Sequence, residues 1–332
     1  MIQAEVKPDK THSETAPTVS VVIPAYNAAK YIGEALLSIF NQTFTSYEVI
    51  VINDGSSDTH DLERELQPYT AGIQYIRQEN RGAAAARNRG LRAATGEFVA
   101  FLDADDKWLP NFLEKQVELL KSSNADLVYS DAMFFGESPL AGRTFMELQP
   151  SRGDVTPEKL LAVEVTILTS TVLARKAPVI EVGLFDESLR RGHDFDLWLR
   201  LARRGMRFAY QREILAHYRI LESGLSGNTI SQLERTLDVL KAIKSRAGLT
   251  ASENAALEVN MKRTLRQLAL EEGKEKLLGR DFAGALKAFN DAKKFRQDWK
   301  LILVSIGLRI APDVLWRIYN HRKVTRRRPV TG

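Results

Sequence analysis

From Val19 to Tyr129, short β-rich apolar runs alternate with stretches of helical periodicity, and this alternation constrains the fold more than any other feature. The apolar runs are Val19–Ile23, Val49–Ile52, Ile73–Ile76, Phe98–Leu102 and Leu127–Tyr129. Helical stretches fall at residues 28–41, from Ser57 and Asp58 to about Leu66, at Ala83–Ala94 and at Leu109–Lys121. In the first of these, Ile32, Ala35, Leu36 and Ile39 share one helical face, and Ser57 and Asp58 are placed to cap the second. Such alternation predicts βαβ units around a parallel sheet, hence an α/β fold.

Ligands of parallel sheets sit at the carboxyl ends of the strands. Chemically distinctive residues should therefore follow the apolar runs, and they do. Pro24-Ala25-Tyr26-Asn27 follows the first run, Asn53-Asp54-Gly55-Ser56 the second, and Asp103-Ala104-Asp105-Asp106 the fourth. The acidic set is the sharpest signal. Carboxylates this close repel one another unless a cation lies between them, and hard oxygen ligands suit Mg²⁺ or Mn²⁺ shared with substrate phosphates. The alternative is an acidic capped turn ahead of the helix at Leu109. Asp54-Gly55-Ser56 reads either as a ligand-facing loop, with the glycine allowing close approach, or as a plain strand-to-helix turn.

Further along, residues 135–160 are irregular, Val163–Ala174 reads as a β-rich run, and Phe195–Ala202 reads as an amphipathic helix. From about Ile230 the pattern is helical, and residues 278–292 have the spacing of one tetratricopeptide-like unit, which predicts a helical hairpin, since a solenoid needs about three units. The expected domains are thus a disordered N-terminus at 1–17, an α/β domain at 18–228, a helical hairpin region at 229–298, and an amphipathic segment with a basic tail at 299–332. The chain contains no cysteine, which excludes disulfides and thiolate zinc sites and favours a reducing compartment. The start MIQAEVKPDK lacks the apolar core of a signal peptide. The net charge of +5 is concentrated at the C-terminus, where Arg317, Arg322, Lys323, Arg326, Arg327 and Arg328 face only Asp313. The preceding apolar run WKLILVSIGLRIA is too short to span a bilayer. Together they suggest contact with an anionic membrane surface, against the alternatives that the apolar residues pack on neighbouring helices or that the tail meets nucleic acid, the least expected partner.

Five segments in order, VSVVIPAYN (19–27), NDGSSD (53–58), NRGAAAARN (80–88), FLDADD (101–106) and GHDFDLWLRL (192–201), resemble the family two glycosyltransferases of GT-A fold. The resemblance covers about residues 18–220. It implies a GT-A nucleotide-sugar-binding domain with a mainly parallel mixed sheet, followed here by a C-terminal helical region. It further implies that Pro24, Tyr26 and Asp54 bind the nucleoside, usually uridine, with Tyr26 flat on the base and Asp54 accepting from the uracil N3–H. Arg81 would meet donor phosphate or sugar, or only solvent. Asp105 would ligate the Mn²⁺ or Mg²⁺, and Asp103 would lie near ribose or donor sugar. Arg219 would close over the diphosphate, or be a surface arginine.

The family's catalytic base is an aspartate at a helix start, usually in a Glu-Asp pair. Asp194 matches it, with His193 where the glutamate is usual. The implied reaction is an inverting displacement that moves a sugar from a nucleotide-diphosphate donor, a UDP-sugar by preference, to a hydroxyl of a glycan or lipid-linked acceptor. The expected setting is cell-surface polysaccharide synthesis, in the cytoplasm or peripherally at the inner membrane face. The Q-x-x-R-W motif of processive synthases is absent. A nucleotidyltransferase would need a Gly-rich loop after the first strand, and a dinucleotide oxidoreductase would need G-x-G-x-x-G there; neither is present. A catalytically silent sugar-nucleotide binder remains as the alternative from another class.

Overall fold

A computed structural model describes residues 16–149, 151–220, 229–245, 248–296 and 298–326, with side chains in the last stretch described as far as 321. The expected disordered segment lies outside these residues except for its last two, and the basic side chains from Arg322 onward lie outside them as well. The chain divides into two compact units, Met1–Gly224 and Leu225–Gly332.

In the first unit, β1 (Val19–Ala25), β2 (Tyr47–Asp54), β3 (Gln74–Gln78) and β4 (Phe98–Phe101) form the parallel half of one eight-stranded sheet. The strand order is β3-β2-β1-β4-β7-β6-β8-β5, with β5 at Lys107–Trp108, β6 at Leu127–Gly136, β7 at Val172–Arg175 and β8 at Phe208–Ile220. The helices α1 (Ala29–Phe40), α2 (Thr59–Leu66), α3 (Ala83–Ala93) and α4 (Phe112–Ser122) connect the parallel strands as the alternation predicts. Val19, Val21, Val22 and Ile23 of β1 are wholly buried between layers, and each such side chain contributes roughly 1.5–3 kcal/mol. Gly90 of α3 is what lets that helix sit on β1: a Cβ there would lie 2.4 Å from Val22 Cγ1.

Two local expectations are corrected. Val163–Ala174 is not one β run: only its end joins β7, Val163 is left-handed at φ 56°, and Thr169–Thr171 form a 3-10 turn. The three hydroxyl side chains are the reason. Thr171 Oγ1 donates to the Leu168 carbonyl, while Thr169 and Ser170 donate to carboxylates elsewhere. Asp58 also does not cap α2 with its side chain; its Oδ2 accepts the Ala29 amide at the start of α1, 2.9 Å away.

β7 is antiparallel to both β4 and β6, pairing Ala100 with Leu173 and Tyr129 with Val172. Because it runs backwards, the turn preceding β7 arrives at the same edge as the loop following β4. The remaining helices of this unit are α5 (Phe145–Leu148), α6 (Pro157–Leu161), α7 (Lys176–Glu181) and α8 (His193–Arg203). The second unit is helical: α9 (Thr229–Ser245), α10 (Ala251–Leu278), α11 (Phe282–Phe295), α12 (Trp299–Ile310) and α13 (Pro312–Arg326). The tetratricopeptide-like segment straddles the tight turn between α10 and α11, a helical hairpin. A core of Ala269, Leu277, Ala285, Phe289, Ala292, Leu301 and Leu308 holds α10, α11 and α12 together.

Candidate active site

The loops after β1 and β2 are tied to each other. Asn27, left-handed at φ 51°, donates its amide to Ser56 Oγ and accepts at Oδ1 from the Ser57 amide and hydroxyl. Pro24 lies opposite Ile52 in the sheet register, and Tyr26 beyond it is 54% exposed, so it is not a core aromatic. The Asp54 carboxylate is buried and accepts from the Gln78 side chain at 2.7 Å and from the amides of Arg81 and Gly82 at 2.9 and 2.8 Å. Gly55, at φ 67°, is required beside it, since a Cβ would meet the Asn80 amide nitrogen at 2.6 Å. The Arg81 guanidinium reaches Glu187 at 2.8 Å.

After β4 the acidic loop carries Asp103, Asp105 and Asp106. Asp106 is buried, accepts from Ser170 Oγ, and accepts the Arg219 amide at 2.8 Å. Burial first, then the charges of Asp105 and Asp103, push its pKa well up. Asp105 is pushed up to about 6, again by burial first and then by Asp103. Arg219 is no surface arginine. Its side chain is 12% exposed, its Nε donates to the Asp105 carbonyl at 2.8 Å, and its guanidinium lies over the rings of Tyr31 and Phe135. Its Nη2 is 3.1 Å from Glu34 Oε2, close enough to ion-pair though not aligned for a hydrogen bond.

Asp194 stands in the first turn of α8, after left-handed Gly192. Its Oδ2 accepts from Thr169 Oγ1 at 3.0 Å and its Oδ1 from the Phe195 amide at 2.8 Å. The neighbouring Ser170 serves the acidic loop: its Oγ donates to Asp106 and accepts the Asp103 amide. A second bridge runs through Arg87, whose buried guanidinium pairs with the Asp103 carboxylate and lies 2.6 Å from His193 Nε2. A guanidinium only donates, so Nε2 is the acceptor and the imidazole is neutral. Burial, then the Arg87 charge, hold the His193 pKa below its usual value. The acidic loop and the start of α8 are thus joined twice, into a ring: Asp103, Arg87, His193, Asp194, Thr169, Ser170. Asp196 lies outside it, buried and spent on Arg200 at 2.8 Å.

The description "Glycosyl transferase family 2" fits residues 20–176. A Bacillus subtilis (strain 168) glycosyltransferase ascribed to teichuronic acid biosynthesis, TuaG, is 30% identical over 234 residues, 69% of this chain and 89% of that one. This chain belongs to glycosyl transferase family 2. Another relative, the Escherichia coli UDP-Glc:alpha-D-GlcNAc-diphosphoundecaprenol beta-1,3-glucosyltransferase WfgD, is 30% identical over 67% of this chain and 85% of its own length. Among solved structures, the mannosyltransferase PcManGT from Pyrobaculum calidifontis, in complex with GDP-Man and Mn²⁺, matches with a TM-score of 0.62 at 19% identity over 94% of this chain and 86% of that one. Staphylococcus aureus TarS 1–349 with UDP-GlcNAc matches at 0.59 and 17% identity, over 93% and 92%. These likenesses establish the GT-A-like fold with its helical C-terminal region.

In this glycosyltransferase the sheet brings Asp103, Asp105 and Asp194 to one edge, with Arg219 against the acidic loop. Asp54 and Arg81 are connected through the Arg81 amide. Sequence reading missed Arg87, Thr169 and Ser170. Nothing in the sequence sets Arg87 apart from Arg89 and Arg92 of the same helix; for the other two the signal was a run of three hydroxyls inside an apolar stretch. The chemistry of the donor set fits a hard cation. No side chain among the described residues hydrogen-bonds the Asp105 carboxylate, whose pKa is raised by burial first and by the Asp103 charge second. Among those residues no three ligating side chains converge. A cation here would therefore draw further oxygens from substrate, the habit of Mg²⁺ at phosphate sites.

Proposed function

We propose that this enzyme transfers a sugar from a nucleotide-diphosphate donor, a UDP-sugar by preference, to a hydroxyl of a glycan or lipid-linked acceptor. The observation that carries the reading is the ring joining the acidic loop to Asp194 through Thr169–Ser170 and Arg87–His193. It fixes a proton acceptor relative to the group that would hold the departing diphosphate, and such positioning is the main content of this class of catalysis.

Pro24 and exposed Tyr26 would receive the nucleobase, with Tyr26 flat against it. Asp54, already holding the Arg81–Gly82 amides, has a remaining lone pair for the uracil N3–H. Arg81 would reach donor phosphate or sugar on leaving Glu187. Asp103 would lie by the ribose or donor sugar, and Arg219 would put positive charge near the diphosphate while bracing the Asp105 carbonyl. Asp105 would hold the Mn²⁺ or Mg²⁺, which when bound neutralises charge on the departing diphosphate. Asp194 takes the acceptor hydroxyl proton as general base. The acceptor oxygen then bonds to the anomeric carbon as the bond to the diphosphate oxygen breaks, and the nucleoside diphosphate leaves with that electron pair. A single displacement inverts the anomeric centre.

The relatives TuaG and WfgD support a place in cell-surface polysaccharide biosynthesis and a lipid-linked acceptor, and so work at the inner face of a membrane. The test is a screen of nucleotide sugars with Mn²⁺, read as nucleoside diphosphate released, with uracil nucleotides expected to bind more tightly than GDP. Asp194→Asn should lower turnover about 10²-fold or more with donor affinity little changed. Asp105→Ala should remove metal-dependent donor binding in a folded protein. Full activity in excess chelator, or near-normal transfer by Asp194→Asn, would overturn these assignments.

A further inference from the structure

The second unit carries a helix face that its own core does not use. Leu301, Ser305 and Leu308 of α12 are buried, on the side facing the helical core. On the opposite side Trp299, Ile302, Leu303, Ile306 and Ile310 are all exposed. At about 100° per residue these five project within an arc of roughly 100°, the width of a stripe that a globular protein normally buries. Exposed Lys300 and Arg309 flank the stripe on its two sides. On α13, Val314 and Ile318 are exposed as well.

We infer that the outward face of α12 lies in the headgroup–acyl boundary of an anionic lipid bilayer, with the apolar stripe inserted and the flanking cations at the phosphates. Length agrees: twelve residues make a helix about 18 Å long, able to lie in an interface. Among the described residues no helix is long and apolar enough to cross a membrane. Aromatic and aliphatic side chains along the middle with Lys and Arg at the margins are what an interfacial helix presents. Charge selects the occupant. From residue 299 to the C-terminus there are eight Lys and Arg residues and one acid, Asp313. An anionic leaflet attracts that density, with each basic residue near it favourable, whereas a second copy of the same face would bring like charge against like charge. This lipid contact deepens, and rests on, the proposed work at a membrane surface.

The experiment uses the full chain and its Leu303→Glu/Ile306→Glu variant. Both positions are exposed, so the core is untouched, and thermal melting checks that the fold is retained. Flotation is measured with vesicles of phosphatidylglycerol and phosphatidylcholine, and with phosphatidylcholine alone. The wild-type protein should float with the anionic vesicles and be released by salt. The variant keeps every basic residue, yet its partition should fall by about tenfold or more if the apolar stripe inserts. Equal flotation of the variant would overturn the role of α12 and leave the basic tail as the membrane contact. Absence of wild-type flotation, with a dimer that the variant abolishes, would overturn it in favour of a second copy. Donor turnover in the same samples separates these outcomes from the enzymatic reading, since neither position is among the residues assigned to the reaction.

Discussion

At the scale of single residues, His193 is the departure that the structure makes intelligible. Where the family usually carries a glutamate, this chain carries a neutral imidazole that accepts from Arg87. Its pKa is lowered by burial first and by Arg87 second, while in the unfolded chain it titrates near 6.5. In the window below about 6.5 the unfolded chain therefore binds more protons than the folded one, so stability rises with pH there. The contribution is fully present above that value and is lost on acidification toward the folded-state pKa. Asp105 and Asp106, with raised values, act with the opposite sign, and they cancel when two proteins that both contain them are compared. Denaturant midpoints of wild type and His193→Gln should stay level above about pH 6.5, with wild type losing ground below it. Parallel curves would mean that the imidazole carries no linked proton. The acidic loop stood out because it follows an apolar run, where the strand ends of a parallel sheet predict chemistry, whereas Asp194 was singled out only by the resemblance to the family. Arg87 was not legible, because its partners Asp103 and His193 are distant in sequence and meet only when α3 and α8 pack on the same sheet.

At the scale of elements, the turn Thr169–Thr171 does what no motif announced. Apolar periodicity made Val163–Ala174 a single strand, since hydroxyl side chains are tolerated in strands and β-branched threonine favours them. The chain instead spends those hydroxyls on Asp194 and Asp106, and the turn takes the backbone away from the sheet. Antiparallel β7 was equally hidden, because alternation of runs and helices predicts parallel neighbours and says nothing of a late strand inserted between β4 and β6. The turn makes Thr169 a positioning residue for the proposed base, Asp194. Thr169→Val removes the hydroxyl at nearly constant volume. It should lower kcat by about tenfold, the scale of one lost hydrogen bond to a charged group, and leave the donor KM in place. Thr169→Ser should restore the rate. A purely structural role would lower stability without separating kcat from the donor KM.

At the scale of the whole molecule, the proposed chemistry and the proposed membrane contact fall in different units. The first holds every residue assigned to the reaction, and the second holds the exposed stripe of α12 with the basic C-terminal segment. Neither alone explains how an enzyme whose relative WfgD uses a diphosphoundecaprenol-linked acceptor would find a substrate confined to a bilayer. Confinement to the same surface turns that encounter into a local one, and linked binding of this kind raises apparent affinity by about 10²-fold or more without any new contact at the reacting atoms. Leu303→Glu/Ile306→Glu should therefore separate two Michaelis constants. The KM for the nucleotide sugar, which arrives from water, should be unchanged. The apparent KM for a polyprenyl-diphosphate-linked sugar embedded in anionic vesicles should rise about tenfold or more, and a detergent-dispersed form of that acceptor should erase the difference between variant and wild type. If the variant handles the vesicle-borne acceptor as well as wild type does, surface binding through α12 plays no part in acceptor capture, whatever the flotation shows.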